Sequence, residues 1–168
     1  MATEWIEKLA DGIKEKNHEA AEEFGRAQHY AGVIAEVGKE YFVALTFSLQ
    51  ENVAALRRTL QGDAASSEMS LKTVKAGEVT IERERFPWVD ARLTHKEDTI
   101  ALDYAKRPGA KGTGMEGDAA LGRKTRSFAF HVAQDDTVYV QDAFADSPRT
   151  YAKPEELARE ITETLFGA

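Results

Sequence analysis

The chain has 168 residues, a formal net charge of −7, 42% hydrophobic and 30% charged residues, and no cysteine. That length fits one domain, expected to span 1–168 and to bury roughly 70% of its unfolded surface without a metal or disulfide staple. The missing thiols exclude disulfides, thiolate zinc sites, iron–sulfur clusters and a cysteine nucleophile, and the acidic balance disfavours nucleic acid, whose binding needs Lys and Arg against phosphates. The first residues, Met1-Ala2-Thr3-Glu4-Trp5-Ile6, lack the basic start and apolar run of a signal peptide. No stretch reaches the ~18 apolar residues of a membrane span, so cytoplasm is the expected compartment.

Residues 3–61, within a helical region 1–62, read as helix. Apolar residues recur in steps of three and four, first at Ile6, Leu9 and Ile13, then at Phe24, Ala27, Ala31 and Ile34, then from Phe42 to Leu60. That rhythm marks one buried helical face. Thr3 is placed to cap the start and Gly62 to end it. Because helices average about 11–12 residues, a break is expected near Gly32 or Gly38, giving two helices. The segment 40–47, rich in Tyr, Phe, Val and Thr, also admits a strand. The unbroken period through 42–60 favours helix.

Residues 63–68 read as a linker. From there the period becomes two, in Val79/Ile81, Val89/Ala91/Leu93, Ile100/Leu102/Tyr104, Phe128/Phe130/Val132 and Val138/Val140, with a first strand at 69–74. Five or six short strands over 69–144 with brief connections imply an antiparallel meander. A C-terminal amphipathic helix at 154–166 opens on Pro154 and carries Leu157, Ile161 and Leu165 on one face. Helices, then strands, then a helix is an α+β order, with the helices expected on one face of the sheet.

Few motifs carry chemistry. Gly112-Thr113-Gly114-Met115-Glu116-Gly117 matches G-x-G-x-x-G, but the residues that follow are too few for the crossover helix a dinucleotide fold needs. The stretch 117–125 misses a P-loop by one residue and runs into a strand. The basic residues Lys106, Arg107, Lys111, Arg123 and Lys124 flank the glycine-rich stretch 108–122, which reads as a loop able to offer backbone N–H groups to a small anion. Glu15 and His18 form a lone E-x-x-H, short of the paired set a di-iron bundle requires, so no metal and no cofactor is expected. His18 and His29 read as solvated helix residues, and His95, in the polar turn 94–98, as a surface one. His131 alternates with core residues and therefore faces the other side of the sheet. Pairing Val132 with Val138 sets it opposite Tyr139, with Asp103 and Arg92 on the same face. Asp103, His131 and Tyr139 are thus candidate general acid–base residues. On the first helix, Ala20, Ala27, Ala31 and Ala35 form a small-residue ridge suited to close helix pairing.

Three functional classes follow. The leading one is a non-catalytic, chaperone- or adaptor-like interaction module that binds a protein partner or itself, possible homodimerisation included. The second is a small-molecule binder with a pocket between helices and curved sheet. The third is an enzyme working around His131.

Overall fold

The computed structural model describes residues 3–60, 69–83, 88–107, 123–143 and 148–167. Helix α1 runs unbroken from Glu4 to Thr59. Seven antiparallel strands follow: β1 (Met69–Lys75), β2 (Glu78–Arg83), β3 (Trp88–Lys96), β4 (Thr99–Arg107), β5 (Lys124–Val132), β6 (Val138–Asp142) and the two-residue β7 (Thr150–Tyr151). Helix α2 (Pro154–Phe166) closes the chain. Strand order is β1-β2-β3-β4-β5-β6-β7, so each strand pairs with its sequence neighbours. The class is α+β, with one strand more than the period-two pattern predicts, since β7 is too short to alternate.

The expected break in the first helix does not occur. Gly32 has no atom near its missing Cβ, and Gly38 faces Phe130 and the His95 ring at 3.6 Å. A glycine costs a helix about 1 kcal/mol relative to alanine, too little by itself to stop a helix of this length. Residues 40–47 are helical, with Tyr41, Phe42 and Leu45 buried. Thr3 is the N-cap residue without a side-chain cap bond; its carbonyl accepts from Glu7 N–H at 2.9 Å. Gly62 lies outside the described residues.

The alternation fixes which sheet face is covered. Val79, Ile81, Val89, Leu93, Ile100, Leu102, Phe128 and Val140 point to one side and are nearly solvent-free. Against them lie Tyr41, Phe42, Leu45 and Leu49 of α1 and Leu157, Ile161 and Leu165 of α2. Burying such a side chain is worth about 1.5–3 kcal/mol, which anchors the second half of α1. Tyr41 Oη donates to the Tyr151 carbonyl at 3.0 Å, and Asn52 Nδ2 to Thr162 Oγ1 at 3.1 Å. These bonds tie the first helix to the last two elements. Burial, followed by the charges of Glu156 and Glu155, pushes the Tyr41 hydroxyl well above its usual pKa.

Candidate functional site: the uncovered half of helix α1 and the groove at its foot

The β1–β2, β3–β4 and β5–β6 connections lie at one end of the sheet. Helix α1 crosses that end and keeps going. Gly77 turns with φ 81°, Glu97 with φ 43° and Asp136 with φ 62°, the left-handed region in which glycine is at ease and other residues are uncommon. The Gly77 carbonyl accepts from His95 N–H at 2.8 Å, and the Asp98 carbonyl from Phe130 N–H at 2.9 Å. His29 Nε2 reaches Asp136 at 3.1 Å, the outermost polar tie between helix and sheet among the described residues.

Beyond that tie no described residue covers the helix. Residues 4–26 span about 35 Å at 1.5 Å per residue, and none of their side chains is buried. At 100° per residue, the stripe that faces the sheet from Gly38 to Leu49 continues in phase through Ala31, Ala27, Phe24, Ala20, Ile13, Leu9 and Ile6. Trp5, Ile6, Leu9, Ile13 and Phe24 are 47–65% exposed. The sequence period therefore predicts the apolar stripe correctly but not its burial, because only the stretch after Tyr30 has a sheet beneath it. The ridge alanines Ala20, Ala27, Ala31 and Ala35 are all exposed, so packing within the chain does not consume them.

Where the helix leaves the sheet there is a groove of about 1010 Å³, walled by Ala27, Tyr30, Ala31, Ile34 and Phe42 on one side and by Ala76, Gly77 and His95 on the other. Lys39, Glu97 and Asp98 rim it. His95 is half-buried, not a surface turn residue. Its ring stacks on Phe42 at 5.4 Å and meets Phe130 edge-on at 5.5 Å. Burial holds its pKa below the usual value, the Lys39 charge adds to that, and the bond from Nε2 to the Glu97 carbonyl opposes it. The signal for this residue was present in the sequence. Val89, Ala91, Leu93 and His95 share one parity, and β3 runs on to Lys96.

The outer sheet face keeps the expected register, with His131 opposite Tyr139; Arg92, expected on the same face, lies opposite Asp103. The His131 and Tyr139 rings stack at 5.4 Å. Asp103, however, pairs with Thr125, six residues from His131, a separation of roughly 20 Å at 3.4 Å per residue. Its carboxylate accepts from Arg123 Nε at 3.0 Å. The three candidate acid–base residues share a face but do not form one site.

The basic residues are partly committed elsewhere. Arg123 bridges Asp103 and Asp90. Partial burial opposes its charge, but the hydrogen bond to Asp90 and the two carboxylates hold its pKa above the usual guanidinium value. Lys106 Nζ donates to the carbonyls of Thr164 at 2.8 Å and Gly167 at 3.1 Å, where a cation meets the negative end of the α2 dipole. Lys124 is exposed, and Arg107 ends β4 opposite Trp88. Lys111, the G-x-G-x-x-G stretch and the rest of the 108–122 loop lie outside the described residues. Among the described residues no group of three or more His, Asp or Glu could hold a metal, and no helix is long and apolar enough to cross a membrane.

No family model matches this sequence, and neither the curated proteins nor the solved structures yield a match.

Proposed function

We propose that this chain is a non-catalytic protein-interaction module whose working surface is the uncovered stripe of α1 together with the groove at its foot. One observation carries the reading: the helical face that is buried against the sheet from Gly38 onward stays apolar and exposed back to Trp5. Contiguous apolar patches beyond a few hundred Å² mark interaction surfaces on soluble proteins, and an amphipathic helix presenting i, i+3, i+4, i+7 anchors is a common mode of partner binding. The test is site-specific photocrosslinking in the source cells, with a photoreactive phenylalanine at Phe24 and a control at Val74, which is exposed on β1 and not part of the stripe. Protein adducts are expected from position 24 and not from 74. Adducts from neither position, or equally from both, refute the reading.

A second reading rests on the groove alone. Its apolar walls and half-buried His95 suit a small, largely apolar ligand with one hydrogen-bonding group. In a native mass spectrum that reading gives a protein carrying a small dissociable mass, lost in His95→Ala.

A further inference from the structure

The occupant of the stripe follows from its charges and side-chain volumes. Resting on the interaction-module reading above, we infer that two copies of this chain pair through residues 5–31 of α1, antiparallel about a two-fold axis near His18, each seating its Trp5 and Ile6 on the groove of the other.

Volume favours this arrangement. Four of the five bulky exposed residues, Trp5, Ile6, Leu9 and Ile13, occupy the first part of the stripe, and the later part holds the alanines 20, 27 and 31 with the fifth, Phe24. An antiparallel pair with its axis at His18 sets Leu9 against Ala27, Ile6 against Tyr30 and Trp5 against Ala31. Leu9 and Trp5 then fall on alanines and Phe24 on Gly12, while Ile6 and Ile13 meet Tyr30 and Glu23; the Ile6 and Trp5 contacts lie on groove-wall residues. A parallel, in-register pair stacks bulk on bulk at one end and leaves alanine facing alanine at the other, spacing that close-packed interfaces avoid.

Charge favours it independently. Two ionised residues, Lys16 and Glu23, interrupt the seam. A parallel pair opposes Lys16 to Lys16 and Glu23 to Glu23, and like charges directly opposed are destabilising. The antiparallel pair sets each Lys16 against Ala20 of its mate, within a turn of Glu19 and Glu23. The area is also adequate. The five bulky side chains together expose on the order of 500 Å² per protomer, given the ~150–250 Å² of a large aromatic. Two protomers thus offer about 1,000 Å² before the alanines and helix backbones are added, close to the roughly 1,200–2,000 Å² of a stable interface. The pairing is closed and self-complementary, as two-fold dimers are.

The experiment combines native mass spectrometry of the full-length chain with spin-label distances. The absence of native cysteine makes Glu4→Cys and His18→Cys clean labelling variants. A dimer is expected at about 10 μM. The two residue-4 labels should lie about 40 Å or more apart, from 28 residues of axial offset at 1.5 Å each, with the residue-18 labels clearly closer. The Ile6→Glu/Ile13→Glu variant should weaken dimerisation at least tenfold. Lys16→Glu should weaken it as well, and adding Glu23→Lys should restore it. A monomer at 100 μM overturns the inference, as do equal distances at the two labels or a dimer unaffected by these substitutions. A monomer that still crosslinks to another protein through Phe24 overturns the pairing and leaves the interaction-module reading standing.

Discussion

His95 shows how far one side chain's surroundings depend on residues distant in sequence. It sits one residue from the end of β3, among polar neighbours, and its ring is nonetheless enclosed by Phe42 and Phe130. Burial, reinforced by Lys39, disfavours its charged form. Its folded pKa therefore lies below the unfolded value near 6.5. Below that pH the unfolded chain takes up a proton that the folded chain resists, so the contribution is full above about 6.5 and declines as pH falls toward the folded pKa. The melting temperature of the wild type should thus drop more between pH 7.5 and 5 than that of His95→Gln. Parallel pH profiles for the two proteins would show that His95 does not carry the effect. His131, by contrast, has the face and the partner that alternation assigns to it. Alternation specifies a face and a register, but not how far apart two residues of that face lie, and so it could not separate His131 from Asp103.

At the scale of elements, the sheet is joined to α2 by a charged clasp. Arg126 lies on the core parity of β5. Its Nη2 donates to Asp142 at 2.7 Å, and its Nη1 to Glu160 at 3.1 Å and Thr164 at 2.8 Å. Its guanidinium also rests over the Phe128 ring, 5.1 Å from the centroid. Three side chains less than a quarter exposed share this network. Removing the cation takes a charged partner from two largely buried carboxylates, of which Glu160 keeps Arg149 at 3.2 Å, so the cost should stay at or below the roughly 3 kcal/mol of breaking a buried pair. Arg126→Met should lower the urea midpoint accordingly, with an unchanged slope. A shift below about 0.5 kcal/mol would mean that the carboxylates find other partners. In the sequence Arg126 is one more basic residue after Arg123 and Lys124; its role is fixed by Asp142 of β6 and by α2 residues 34 and 38 positions later. The same holds for Lys106, whose ammonium closes the end of that helix.

For the whole molecule, the meander was legible because each strand is half-buried and so alternates, and because consecutive strands are neighbours. The α+β order was legible for the same reason, and so was the register from His131 to Tyr139. The continuity of α1 was not. An apolar stripe reports that a face is apolar, not what lies against it, and a glycine such as Gly38 breaks a helix or permits a close approach depending on its neighbours. The groove was hidden because its walls come from α1, two hairpin turns and β3. A prediction follows at this scale. Since no described residue before Tyr30 is buried, a chain beginning at residue 27 should melt within about 3 °C of the full-length protein when both are monomeric. A loss of 10 °C or more would place the first 26 residues within the cooperative unit.

The bond from Tyr41 to Tyr151 joins residues 110 apart, and α1 packs chiefly on α2, which follows it by about 95 residues. Synthesis at about 5–20 residues per second therefore leaves the first helix waiting on the order of ten seconds for its main packing partner to leave the ribosome. During that interval its whole apolar stripe, not only the half that stays bare in the finished fold, is open to other nascent chains and to chaperones. The order in which this fold is assembled thus makes its birth the moment of greatest exposure.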